Sequence, residues 1–498
     1  MDRRKTGDEY LKMIQACEEW LRQGKTGNVT HALGKVNTAQ VPREMRLALA
    51  QIARRADLFH FGLKVLRPLM PEESSRTVGL AKDEEIAEYG VLLQLIGSLT
   101  EAFRYFNMVS PQKTPKVLLY KAFCHFTRWE YSQAKPLLGA YIEAKGLTDY
   151  ELLIGKVNYA SCLVSTKADN AAPFLQEIIK TSQEKNYHRL NANALEMLSQ
   201  ISIAIGEYQH ARNLLDQAAQ VLSQSVAADA FYIEKWKAVA KALESGDCSD
   251  LIAFRETAFK NSQWESVRES DLYIMRVTKD ESLFRFLYAG TPYPEYRKRI
   301  LEHSDPRWAA PQTFELGTAG PELDLVLGRY DGREVLKPGQ RPQLLLLGLF
   351  SDFYRPRKMA TLFSDIFPDQ AFGILSSPNR VYQAVSRTRE LIEEAKIPLS
   401  IHEDEGNYRF QLAGEMRVKI EVENHMVSRE DFLLRRLENE FRGREFSARE
   451  ARSALDLPAT SFHRLLSWGI DQGRLSKVGI GAKVRYHITH LVKENKSA

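Results

Sequence analysis

Hydrophobic positions recur at helical spacing over most of the first three hundred residues. From residue 10 to about residue 300 the pattern is that of helices, with short breaks at Gly, Asn or Asp and few signs of strands. Residues 264–304 continue the pattern and are expected to cap the array. We therefore predict a helical region that spans residues 1–304.

A small residue recurs along this region at similar intervals. Gly62, Ala102, Ala134, Ala172 and Ala211 are separated by 40, 32, 38 and 39 residues. A small side chain lets the two helices of a hairpin approach closely. The series predicts stacked helical hairpins that form an α-solenoid. Its concave groove offers a site for a peptide, a partner helix or the C-terminal domains of the same chain.

The pattern changes after residue 304. The stretch 304–321, SDPRWAAPQTFELGTAGP, is rich in Pro, Gly and Thr, which marks a domain boundary. Further on, residues 376–412 predict a long helix followed by a two-stranded ribbon. The buried stripe of the helix is Val381, Val385, Thr388 and Ile392, and the alternating apolar positions of the ribbon are Leu399, Ile401, Tyr408, Phe410 and Leu412. A helix followed by such a ribbon is typical of the end of a winged-helix domain.

The face of this helix opposite the stripe carries side chains that suit contact with bases and phosphates in a major groove. Together with one position on the ribbon, the candidate DNA-binding residues are Asn379, Arg380, Gln383, Arg387 and Arg409.

Two stretches resemble known families. Gly206 and Tyr208 with Ala211, in the order Gly-x-Tyr-x-x-Ala, resemble the centre of a tetratricopeptide repeat (TPR). Residues 380–389, RVYQAVSRTR, and 406–410, GNYRF, resemble the recognition helix and wing of OmpR-type winged-helix effector domains. The second resemblance covers about residues 321–413. It implies a small leading sheet, a first helix from Gln343 to Asp352 and a second from Arg355 to Phe367.

The chain differs from the OmpR-type pattern in three respects. Thr388 stands where the family usually has Leu, and residues 403–405 place three acidic side chains at the wing tip. Acidic groups there oppose contact with phosphates, which dominates DNA affinity. The phosphoacceptor domain that usually precedes the family's winged helix is replaced by helices, so activation by aspartyl phosphorylation is not supported.

Residues 427–490 predict a second winged helix, which is more basic. We expect helices over Glu430–Phe441, from the Ser447 cap to about Leu455, and over Thr460–Gln472, then a hairpin over Arg474–Ile488. Phe462, Leu465, Leu466 and Gly469 form the packed face of the third helix. The candidate DNA-binding residues of this domain are Thr460, His463, Arg464, Lys477, Lys483 and Arg485. Because its wing is basic, this domain is a better candidate than the first winged helix for contacting DNA phosphates.

Composition and motifs argue against catalysis. The chain has 44% hydrophobic and 27% charged residues and a net charge of +5, ordinary values for a soluble globular protein. Four cysteines without metal-ligand spacing indicate buried thiols. Phosphate-binding loops, metal motifs and nucleophile motifs are missing from the sequence, so we expect neither an enzyme nor a cofactor. No apolar leader or membrane-spanning run is present, so we expect a cytoplasmic protein that does not contact the membrane.

The sequence therefore predicts a mainly α protein: a TPR-like α-solenoid over residues 1–304, then two winged-helix (α+β) domains over residues 321–413 and 427–490. The expected function is that of a bacterial-type transcription regulator that binds double-stranded DNA and takes a peptide or protein partner in its groove, and a homodimer is compatible with it. A second hypothesis is a non-enzymatic scaffold subunit, resembling PCI-type subunits, whose winged helices contact protein. The acidic tip favours the scaffold, and the basic C-terminal wing favours DNA.

Overall fold

The computed structural model describes residues 7–71, 81–222, 230–317, 319–337, 339–368, 370–422, 429–441, 443–455, 457–479, 481 and 484–489. These residues are mainly helical with small sheets, so the prediction of a mainly α protein is confirmed. The chain forms two compact units. The first contains residues 1–310 with the short segments 358–361 and 371–377, and the second contains 311–357, 362–370 and 378–498.

The first unit is built from consecutive helices joined by short turns. They are α1 (Gly7–Arg22), α2 (Thr26–Gly34), α3 (Arg46–Arg55), α4 (Phe59–Leu66), α5 (Asp83–Leu95), α6 (Leu99–Phe106), α7 (Lys116–Phe126), α8 (Tyr131–Ile142), α9 (Asp149–Ser165), α10 (Ala171–Glu184), α11 (His188–Ala204), α12 (Tyr208–Leu222), α13 (Ala230–Ser245), α14 (Ser249–Lys260), α15 (Trp264–Thr278), α16 (Glu281–Ala289) and α17 (Pro294–His303). Short 3-10 helices lie at Thr38–Gln40, Arg43–Met45 and Arg67–Leu69.

The series of small residues has a common structural origin. A residue with positive φ stands five positions ahead of each member, and these residues are Asp57, Gly97, Trp129, Lys167 and Gly206. Each reverses the chain between two helices, so the small residue falls in the first turn of the second helix or directly beside it. Ala102, Ala134 and Ala211 are fully buried there, whereas Ala172 is only partly buried and its neighbour Ala171 is buried.

Consecutive helices come very close to one another, both within a hairpin and between hairpins. A Cβ atom added to Gly90 on α5 would lie 2.4 Å from the Phe106 ring, and one added to Gly155 on α9 would lie 2.6 Å from the Tyr141 ring. Aromatic rings therefore occupy the space above these glycines, and larger residues are excluded by packing.

Apart from the short segments 358–361 and 371–377, the chain after residue 310 belongs to the second unit. It forms two modules, each with helices followed by a hairpin. The first module comprises β1 (Thr313–Leu316), β2 (Glu322–Asp324), β3 (Arg329–Tyr330), β4 (Arg333–Glu334), α18 (Arg341–Leu349), β5 (Arg357–Lys358), α19 (Met359–Ile366), α20 (Ser377–Glu394), β6 (Leu399–Asp404), β7 (Asn407–Leu412) and β8 (Arg417–Glu421). The second comprises α21 (Arg429–Phe441), α22 (Ala448–Leu455), α23 (Ala459–Asp471), β9 (Leu475–Val478) and β10 (Arg485–Ile488).

The first module has two sheets. One has the strand order β1-β8-β2-β3-β4, in which β2 and β8 are parallel and the other pairs antiparallel; the other has the order β5-β7-β6. The first sheet extends past both predicted bounds, because β1 precedes residue 321 and β8 follows residue 413. A buried amide joins sheet and helix: Gln343 donates to the carbonyl of Leu325 at 2.8 Å and accepts from the N–H of Gly339 at 2.7 Å.

The helix expected over Arg355–Phe367 begins later than predicted. Residues 357–358 form strand β5 beside β7, and α19 starts at Met359. Pairing with a strand almost fifty residues further along the chain takes these two residues out of the helix. The local sequence carries no signal for that contact.

Candidate nucleic-acid interface

Helix α20 has one buried face and one exposed face, as its spacing predicts. Val381, Val385, Thr388 and Ile392 are 0–6% exposed. The Thr388 hydroxyl donates to the carbonyl of Ala384 at 2.8 Å, so a polar residue is accommodated in the core at this position. On the opposite face, Asn379, Gln383, Ser386 and Arg387 are all exposed.

Arg380 lies differently from the other candidates on α20. Its guanidinium is 4.0 Å from the ring centroid of Phe367, directly after α19, and 5.3 Å from that of Phe363, within α19. Arg341, at the start of α18, lies over the same Phe367 ring at 4.9 Å. Such cation–π contacts hold a guanidinium against the protein. Arg380 therefore joins α20 to α19, and its side chain is only partly exposed.

Arg389 ties α20 to the hairpin that follows it. Two of its nitrogens donate to the carbonyl of Ile401 on β6, at 2.7 and 3.2 Å. The aromatic side of the hairpin packs on the module core through Phe410, whose ring stacks on Phe350 with centroids 3.9 Å apart. These contacts fix the angle between helix and hairpin.

The first hairpin turns tightly and has an acidic tip. Glu405 and Gly406 both have positive φ in a two-residue loop, which is the geometry of a type I′ turn. The Glu403 carboxylate accepts the N–H of Gly406 at 2.7 Å, so this acidic group stabilises the turn. Asp404 and Glu405 are exposed. Arg409 is also exposed and lies on β7, opposite His402.

Two tyrosines of this module were missed by the sequence analysis as functional candidates. Tyr382 is 49% exposed and lies among the polar residues of the exposed face of α20. Tyr408 is 1% exposed, and its hydroxyl lacks a hydrogen-bond partner. Burial raises the pKa of the Tyr408 hydroxyl, with a smaller contribution from Tyr382. The available signal for Tyr382 was its position, three residues after Asn379 and four before Ser386.

The second module has its own core behind α23. Phe462, Leu465, Leu466 and Gly469 are buried, as predicted, and pack against residues of α21 and of the hairpin. Ser447 caps α22: its hydroxyl accepts the N–H of Glu450 at 3.2 Å, and the Glu450 carboxylate accepts the N–H of Ser447 at 2.7 Å. This is the reciprocal arrangement of a capping box.

The basic candidates of the second module differ in how far they are neutralised. Arg485 donates to Glu450 at 2.9 Å, whereas Arg464 is 69% exposed and 3.9 Å from Glu430. Lys477 is exposed on β9, opposite Tyr486. Thr460 and His463 are exposed on the same helix as Arg464. Lys483 lies outside the described residues.

The interior of the first unit contains a ladder of charged side chains that sequence reasoning missed. Lys235, Glu269 and Arg299 are each the sixth residue of their helix, on α13, α15 and α17. The Glu269 carboxylate forms ion pairs with the Lys235 ammonium at 2.6 Å and with the Arg299 guanidinium at 2.9 Å. These two cations lower its pKa although burial raises it. On α11, Glu196 accepts from Gln200 at 2.8 Å, and burial raises the pKa of Glu196 to about 7.

Distant helices of the first unit meet around this ladder. The indole N–H of Trp129, just before α8, donates to Glu265 on α15 at 2.8 Å, and the Trp129 ring is 4.4 Å from that of Tyr296 on α17. Every residue of α15 from Ser266 to Met275 is buried. The array therefore curves enough to bring its seventh-to-eighth helix turn against α15 and α17, and its own helices occupy part of the interior.

Within the described ranges, no group of three His, Cys, Asp or Glu residues is placed to hold a metal ion, and no helix is long and apolar enough to cross a membrane. The four cysteines are buried, and burial raises the pKa of Cys124 and Cys162 to about 12. These two thiols are poor nucleophiles at neutral pH.

The sequence matches no protein-family model and no curated protein.

Proposed function

We propose that this chain is a non-enzymatic DNA-binding transcription regulator. In this proposal its first unit is a TPR-like solenoid that binds a peptide or protein partner, and its second unit holds two winged-helix domains that contact double-stranded DNA. The observation that carries the proposal is the repeated module plan: a helix with one buried and one exposed polar face, followed directly by a hairpin. A helix so placed suits entry into a major groove.

The two winged helices differ in the charge that they offer to DNA. The first has neutral hydrogen-bonding groups on α20 and an acidic wing tip, whereas the second offers Arg464 and Lys477 with limited neutralisation. Phosphate contacts supply affinity and base contacts supply sequence preference. We assign phosphate contacts mainly to the second winged helix and base contacts mainly to the first.

Control by a partner would follow a population shift between two arrangements of the chain. The ladder of Lys235, Glu269 and Arg299 supports this part of the proposal, because it couples α13, α15 and α17 into one block. A partner that binds this block more tightly in one arrangement than in the other shifts the equilibrium between the two arrangements. The size of the shift is limited by the ratio of its two affinities.

The test measures DNA affinity against salt for the full chain. Charge reversal of Arg464→Glu with Lys477→Glu is expected to weaken binding at least tenfold and to make the salt dependence shallower by about one per lost phosphate contact. Lys260→Glu with Lys298→Glu, at two exposed lysines on α14 and α17, carries the same charge change and is expected to leave affinity unchanged.

A scaffold function is the second candidate, favoured by the acidic tip at Asp404 and Glu405. It predicts that the wild-type chain shows no binding to duplex DNA even at low salt. That result would reject the DNA-binding proposal and leave protein contact as the role of the hairpins.

A further inference from the structure

We propose that α20 selects A·T base pairs, and that Asn379, Tyr382 and Gln383 are the residues that make the selection. This inference deepens the proposed function and rests on it. It names the class of DNA sequence that the first winged helix prefers, which nothing in the family resemblance specifies.

The first half of α20 offers neutral groups to a groove. Asn379, Tyr382, Gln383 and Ser386 are separated by three or four residues and are all exposed, so they share one face. The N-terminal residues of a recognition helix are those that contact base edges. The side chains available for base reading are therefore two amides, a phenol ring and a hydroxyl.

Arg380, the arginine in the first half of the helix, contacts an aromatic ring of the protein itself. Arg380 lies 4.0 Å from the Phe367 centroid, and Arg341 lies on the same ring at 4.9 Å. Moving Arg380 into a groove would break its contact with Phe367. Arg389 is likewise engaged by the Ile401 carbonyl at 2.7 Å. Arg387, in the second half of α20, is exposed.

The chemistry of base edges then decides the preference. Arginine or lysine makes the commonest specific contact to guanine, through O6 and N7. Asn and Gln instead form paired hydrogen bonds with the N6 and N7 atoms of adenine, and apolar surface contacts the methyl group of thymine. Asn379 and Gln383 supply the amides. The exposed ring of Tyr382, between them along the helix, supplies the surface for thymine.

The experiment selects bound duplexes from a random-sequence pool with the full chain and reads the enriched bases. We expect enrichment of A·T pairs at adjacent positions. In Tyr382→Ala with Gln383→Ala, the preference for the selected sequence over a G·C-substituted duplex should fall at least tenfold, because two proposed base contacts are lost. Binding to non-specific duplex should stay unchanged, which also shows that the variant is folded.

Controls separate this inference from the function on which it rests. Glu393→Ala, exposed in the second half of the same helix, should keep the full base preference. If the wild type retains no duplex at all, the DNA-binding proposal fails. Retention with G·C enrichment, with no preference, or with a preference that survives the double variant overturns the role of α20 alone.

Discussion

Arg380 and Arg387 lie on the same helix and differ in what surrounds them. Sequence analysis assigned both to DNA contact, because each falls outside the apolar stripe of α20. The structure shows Arg380 against Phe363 and Phe367, whereas Arg387 is exposed. The phenylalanines lie thirteen or more residues earlier in the chain, so no helical spacing rule could have paired them with Arg380.

This difference predicts opposite effects of two alanine substitutions. Arg380→Ala should lower the stability of the second unit by about 1 kcal/mol, the value of a partly exposed cation–π contact. A loss of that size lowers the melting temperature by about 2–4 °C in a unit of this length. Arg387→Ala should leave the melting temperature unchanged and weaken DNA binding. Calorimetry of both full-length variants checks the stability, and equal melting temperatures would contradict the role given to Arg380.

Glu196 predicts a pH dependence of the helical unit. Burial raises its pKa to about 7 from the ordinary value of 4.5. Between these values the folded chain keeps a proton that the unfolded chain has released, so this group's contribution to stability falls as the pH rises from 4.5 to 7. Glu196→Gln removes the effect and retains an acceptor for Gln200. Its gain in unfolding free energy over wild type should grow from near zero at pH 4.5 to about 3 kcal/mol at pH 8.

Denaturant unfolding of both full-length proteins at several pH values measures that gain. Glu256→Gln, at an exposed position on α14, is the control for removing one carboxylate from the helical unit. A constant difference between Glu196→Gln and wild type across this pH range would show that the Glu196 carboxyl is not desolvated in the folded chain.

At the scale of elements, the features that could be predicted from the sequence were those that depend on residues close together in the chain. The Ser447 cap, the packed face of α23 and the stripe of α20 each depend on spacing within one helix, and all three are confirmed. The turns behind the small-residue series could not be predicted from the sequence. Glycine is the usual residue at positive φ, but here Asp57, Trp129 and Lys167 adopt it. Strand β5 was mistaken for helix because its pairing with β7 is a long-range contact.

The capping box of α22 gives a prediction at this scale. Ser447→Ala removes the acceptor for the N–H of Glu450 and should cost about 1 kcal/mol. Hydrogen exchange of the first amides of α22 should accelerate accordingly. Ser453→Ala, an exposed position inside the same helix, should be neutral or slightly stabilising, since Ala is the better helix former. Equal exchange in the two variants would show that the cap does not hold the helix.

At the scale of the molecule, the sequence predicted helices and their order but not the interior of the helical unit. Helices α15 and α17 meet the turn at Trp129 inside this unit. More than a hundred residues separate these contacts in the chain. Lys235, Glu269 and Arg299 each resemble an ordinary surface charge until the three helices are placed side by side.

The ladder predicts that the helices it joins lose stability together. Glu269 is shared by two cations, so Glu269→Gln leaves Lys235 and Arg299 without their common carboxylate and should cost about 3–5 kcal/mol. Lys235→Met should cost less, because Arg299 still neutralises Glu269. The double variant should cost less than the two single losses added, since the residues interact directly. Hydrogen exchange in the full chain should report the loss over α13, α15 and α17 at once. Faster exchange confined to α15, or additive losses in the double variant, would show that the charges act separately and that the helical unit lacks the coupling on which control by a partner depends.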